Sequence, residues 1–86
     1  MRTAPLGSVF TISGYTTGMP GSSTRADGRV LARARWAGER RWRFLRSTRT
    51  SHGHYRVSFT PSRRGTLTVS VLTPDSRETF FILHVV

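Results

Sequence analysis

The sequence predicts an all-β fold, a single antiparallel β-sandwich of six or seven strands with Greek-key connections and no substantial helix. Three observations carry this expectation. β-Branched and aromatic residues fall in short alternating runs, Gly or Pro punctuates those runs, and apolar residues nowhere hold a 3.6-residue period for three turns. The chain has 86 residues, enough for one domain. At this length only about 60–65% of the unfolded surface becomes buried, so the core is thin. A large two-domain enzyme with its own cofactor fold is therefore excluded.

Taken in order, residues 1–7 read as a flexible N-terminal segment and 8–86 as the one sandwich domain. The first run is 9–13, ahead of a Gly/Pro/Ser-rich loop at 14–28. Further runs follow at 30–36, 40–47, 55–60 (ended by Pro61), 66–72 (ended before Pro74) and 79–86. Alternation assigns faces. Tyr55, Val57 and Phe59 point one way, and Leu67, Val69 and Val71 are buried with Thr68 and Ser70 outside. In the last run Phe81, Leu83 and Val85 form one apolar face, while Phe80 and Ile82 stand on the other beside His84. A strand apolar on both sides is central, or touches something beyond its own sandwich.

Runs two and three suggest a hairpin closed by Ala37-Gly38-Glu39. In that register Arg35 faces Arg41 and Arg33 faces Arg43, while Ala34 and Ala32 face Trp42 and Phe44. One side is then core, small residues against large. The other gathers Arg33, Arg35, Arg41 and Arg43, with Arg46 just beyond, as a candidate anion-binding face. A one-residue slip dissolves that arrangement.

Charge gives this face its interest. The net charge is +10, every one of the 14 basic residues is Arg, and Lys, Asn and Gln are absent. GC-rich coding DNA favours Arg over Lys, but it does not suppress Asp and Glu. Nine of the arginines fall in residues 25–49 against Asp27 and Glu39. Arg binds carboxylate, sulfate and phosphate in bidentate fashion. The basic face is either a solubility device or the contact for an anionic polymer (polysaccharide or nucleic acid) or an acidic protein surface.

The segment from Val30-Leu31-Ala32-Arg33-Ala34-Arg35-Trp36 through Gly38, Trp42-Arg43-Phe44-Leu45, Thr48, Thr50, Gly53-His54-Tyr55-Arg56-Val57, Pro61, Gly65, Val69 and Val71 resembles bacterial immunoglobulin-like domains. It is also similar to transthyretin-like (prealbumin-type) sandwiches. The resemblance spans roughly residues 8–86 and rests on single residues at loose spacings, so it speaks to fold more than to function. It implies a non-catalytic accessory module of a bacterial extracellular or surface protein, sometimes of a phage particle, acting as spacer, adhesion unit or carbohydrate contact.

The residues themselves offer little for catalysis. No nucleophile elbow and no phosphate-cradling Gly loop is present, and Asp27, Glu39, Asp75 and Glu78 lie in expected turns. No enzyme activity and no cofactor is expected. His52-Gly53-His54, even with His84, lacks the Cys or carboxylate ligands that complete a metal site, so a polar turn is expected there and no metal. Arg40-Arg41-Trp42-Arg43-Phe44-Leu45-Arg46 leaves a second function open, a small basic nucleic-acid-binding β-barrel. The two readings differ on the aromatics. A barrel of that kind needs them exposed beside the arginines, whereas a sandwich module has Trp42, Phe44, Tyr55 and Phe59 buried. Tyr15 and Met19 are weaker contact candidates in the long loop. The chain is expected to be monomeric, with self-association through Phe80 and Ile82 as the alternative. No apolar run is long enough to span a bilayer and the first residues lack a signal-peptide pattern.

Overall fold

The computed structural model describes residues 2–16 and 28–86. Its strands are β1 (Arg2–Ala4), β2 (Phe10–Tyr15), β3 (Arg29–Trp36), β4 (Arg43–Arg49), β5 (His54–Phe59), β6 (Gly65–Leu72) and β7 (Glu78–Val85). Five of them form one sheet in the order β1-β7-β6-β3-β4, and β2-β5 form the other. The expected all-β sandwich is present, with seven strands and no helix among the described residues. Within the 14–28 loop, Gly14 and Tyr15 belong to β2, while Met19 and the rest of 17–27 lie outside the described residues.

One pairing departs from the antiparallel expectation. β1 runs parallel to β7, with Arg2 opposite Leu83 and Ala4 opposite Val85. The segment expected to be a flexible lead-in therefore contributes a strand. Its ladder continues through Leu6 N–H to the Val86 carbonyl and Val86 N–H to the Ala4 carbonyl, at 2.9 and 3.0 Å. Three residues are too few to show an alternation of their own, so this long-range pairing left no periodic trace.

The core lies between the sheets. β3 supplies Val30, Ala32 and Ala34, β6 supplies Leu67, Val69 and Val71, and β7 supplies Leu83 and Val85. Ile12 of β2 and Tyr55, Val57 and Phe59 of β5 close it from the other side. Phe10 and Phe59 pack edge to face, ring centroids 5.8 Å apart. Tyr55 leans so closely on β2 that a Cβ on Gly14 would meet its hydroxyl at 2.7 Å, so any larger residue there must displace the Tyr55 ring. Burial pushes the Tyr55 hydroxyl pKa above its ordinary value, with the nearby Asp75 charge adding to the effect.

Three connections fix the strands that matter for the site. Between β6 and β7, Ser76 N–H bonds to the Thr73 carbonyl and Thr73 N–H to the Arg77 carbonyl, both at 3.0 Å. Pro74 opens this turn and Ser76 closes it at φ +63°, the three-residue hairpin pattern. Between β4 and β5, Ser51 and His54 exchange both main-chain bonds, and His52 and Gly53 have φ of +52° and +76°. Two central residues at positive φ make this a type I′ turn. After β3, Glu39 N–H reaches the Trp36 carbonyl at 3.0 Å, with Gly38 at φ +88°. The Glu39 carboxylate accepts from Trp36 N–H at 3.2 Å, so a side chain rather than a ladder closes this turn.

Candidate functional site

That side-chain closure leaves residues 40–42 outside any strand, and β4 begins at Arg43 rather than at Arg40. Arg33 then lies opposite Phe44 and Ala34 opposite Arg43, one residue out of step with the hairpin expected from loop length. A β-bulge follows. Ala32 pairs with Arg46, so Leu45 is the extra residue on β4. The slip and the bulge overturn the expected faces. Trp42 and Phe44 are not core: Phe44 is 69% exposed and Trp42 is half-buried, whereas Tyr55 and Phe59 are buried as expected.

The outward face of the five-stranded sheet can be read row by row. Arg33 sits between Phe44 on β4 and Ser70 on β6, and Ser70 sits beside Phe80 on β7. In the next row Arg35 is followed by Thr68 and then Ile82. Trp42 folds across these rows. Its ring lies 4.7 Å from the Arg35 guanidinium carbon, 5.3 Å from that of Arg33 and 6.2 Å from the Phe80 ring. Cation–π contacts of this kind contribute about 0.5–1 kcal/mol each at exposed sites. Beneath them Ser70 is fully buried although it points away from the core.

Glu78 ties the layer together. Its carboxylate accepts from Ser70 Oγ at 2.5 Å and from an Arg33 terminal nitrogen at 3.0 Å. The Ser70 hydrogen bond, aided by Arg33, holds the Glu78 pKa below the ordinary glutamate value. Arg33 Nε is buried and has no hydrogen-bond partner among the described residues. The guanidinium is nonetheless fixed in place by Glu78 on one side and Trp42 on the other.

Of the five candidate arginines, Arg33 and Arg35 come together on this face. Arg43 does not join them. It lies opposite inward-facing Ala34 and makes an ion pair with Glu39 at 2.8 Å. Arg46, displaced by the bulge, lines a groove with Arg56 of β5. Arg41 is exposed in the connection before Trp42. The expected four-arginine ladder is thus replaced by two arginines interleaved with Trp42, Phe44 and Phe80. The sequence held the aromatics and the arginines together, but alternation assigned them to opposite faces, and a bulge leaves no periodic signal that could have corrected it. Among the described residues no group of three or more His, Cys, Asp or Glu could hold a metal ion. No helix of the described residues is long and apolar enough to cross a membrane. Comparison of the chain with protein-family models, characterised proteins and solved structures returns no significant match.

Proposed function

We propose that this protein is a non-catalytic binding module that holds an anionic polymer on the outer face of its five-stranded sheet, with single-stranded nucleic acid as the polymer class. One observation carries the proposal: Phe44 and Phe80, 69% and 56% exposed, stand in the same cross-strand row as Arg33, next to Arg35 and Trp42. Three strand spacings separate them, about 14 Å. Two exposed rings flanking guanidinium groups supply stacking surfaces and phosphate contacts at once. A sulfated or uronic polymer uses the arginines and has less need of the rings.

The test is a titration followed residue by residue by NMR, with oligothymidylate, a short RNA and heparin, at low and at near-physiological salt. Single-stranded nucleic acid is expected to shift Arg33, Arg35, Trp42, Phe44 and Phe80 together and to survive the higher salt. Replacing Phe44 and Phe80 by Ala is expected to weaken oligothymidylate binding about tenfold or more, since stacking contributes about 1–3 kcal/mol per base. Heparin binding that is equally strong and indifferent to the two rings moves the assignment to a sulfated polymer. Weak binding of all three that vanishes with salt overturns the proposal. The fold resemblance supports a second setting for the same face, an accessory module of a bacterial extracellular protein, in which the polymer lies outside the cell.

A further inference from the structure

We infer that the open edge of β5 accepts one extended, acidic segment of a partner protein, which adds to the two-stranded sheet as a third strand. The site lies at the seam between β4 and β5 and meets the Trp42 face at Phe44, which lines the seam cleft as well. Among the described residues β5 has β2 on one side and no paired strand on the other. The type I′ turn shows which groups face that vacant side. His54 exchanges both of its main-chain bonds with Ser51, at 2.9 and 2.8 Å, so its N–H and C=O point away from β2. Main-chain direction alternates along a strand, and therefore Arg56 and Ser58 present theirs to the same edge. After this one bridge the two strands part into different sheets. The hairpin opens just past its turn, and among the described residues no strand pairs with Arg56 or Ser58 on that edge.

Two features of the opened seam define its occupant. A cleft in which Ala34, Trp36, Phe44, Leu45, Phe59 and Leu67 stand beside Arg43, Thr60 and Ser62 lies at one end. It would receive the inward side chains of an added strand, which alternate with solvent-facing ones. Arg46 and Arg56 flank the groove at the other end. β4 and β5 together carry Arg43, Arg46, Arg49 and Arg56 and no carboxylate. A second copy of this chain is a poor occupant, because edge-to-edge pairing would set arginines against arginines. An alternating apolar and acidic strand is complementary in both respects.

The experiment uses the intact protein and three nine-residue acetylated peptides: alternating Glu and Val, alternating Lys and Val, and the Glu/Val peptide N-methylated at alternate positions to remove its ladder donors. The Glu/Val peptide is expected to bind and to slow hydrogen exchange at the Arg56 and Ser58 amides. N-methylation is expected to weaken it about tenfold, the loss of two main-chain hydrogen bonds. The double variant R46E/R56E, both positions exposed, is expected to reverse the preference to Lys/Val. Equal binding of the N-methylated peptide overturns strand addition and leaves only charge attraction. Unchanged exchange at Arg56 and Ser58, or shifts confined to Arg33, Arg35 and Phe80, overturns the site itself. Exchange at Arg56 and Ser58 is read apart from the nucleic-acid titration, whose markers Arg33, Arg35, Trp42 and Phe80 do not line the seam.

Discussion

Two hairpins build the same outer face, and they behave differently. β6 and β7 pair without interruption from Gly65 opposite Val85 to Leu72 opposite Glu78. β3 and β4 are joined by six residues, start one position out of step and shift again at a bulge. The cause lies in the turns. Ser76 N–H to the Thr73 carbonyl and Thr73 N–H to the Arg77 carbonyl close the first with backbone hydrogen bonds that continue directly into the ladder. In the second, Glu39 N–H bonds to the Trp36 carbonyl but its carboxylate takes the return bond from Trp36 N–H, so the backbone of 40–42 leaves the ladder and Trp42 is free to fold back over the sheet. A turn closed by main-chain bonds transmits register; one closed by a side chain can discard it, and here the discarded residues supply the site.

The largest effect is expected where the irregular hairpin leans on the regular one. Trp42→Ala removes the ring that covers Arg33, Arg35 and Phe80, and is expected to lower unfolding free energy by about 2 kcal/mol in urea titrations. A loss below about 0.5 kcal/mol would show that Trp42 lies on the face without holding it. Next comes the turn itself. Glu39→Ala deprives Trp36 N–H of its acceptor and Arg43 of its partner, at an expected cost of about 1 kcal/mol. Glu39→Gln keeps an acceptor and should recover most of that loss; no recovery would place the stabilisation in the ion pair instead.

Acid titration probes the contact that joins the two hairpins. The Glu78 carboxyl is held below the ordinary value of 4.5, so its contribution is complete above that pH. It is lost as the pH falls through the lowered folded value, because the proton must displace the bonds from Ser70 and Arg33. The Glu78→Gln variant should therefore show a flatter decline of stability with acid, followed by circular dichroism; an identical decline would remove Glu78 from the account. The smallest effect belongs to the regular hairpin. Ser76→Gly relieves a positive φ and is expected to raise the unfolding free energy by a few tenths of a kcal/mol, read as a slightly higher melting midpoint.

Much of the fold was legible where strands are long and unbroken. Alternation placed Tyr55, Val57 and Phe59 in the core, with Leu67, Val69, Val71, Leu83 and Val85, and left Phe80 and Ile82 outside. It failed on β4, because one extra residue at Leu45 reverses the meaning of odd and even positions. Arg33 and Arg35 were visible as outward residues. Their partners Phe44 and Trp42 were assigned to the core, since nothing local announces that Glu39 will end a turn with its carboxylate. Arg43 was drawn to the wrong side by the same slip, whereas Arg46, which shares the parity of Phe44 in the expected hairpin, lies opposite inward-facing Ala32.

Both tryptophans of this chain lie under guanidinium groups. Arg63 sits 4.7 Å from the ring of Trp36 and Arg35 the same distance from that of Trp42. Trp36 lines the seam cleft and Trp42 lies on the outer face. A cation held against an indole alters its emission, and a polyanion that draws the arginine away alters it again. The molecule thus carries a separate optical reporter on each of its two candidate surfaces, and Trp36→Phe and Trp42→Phe variants separate the signals without any added label.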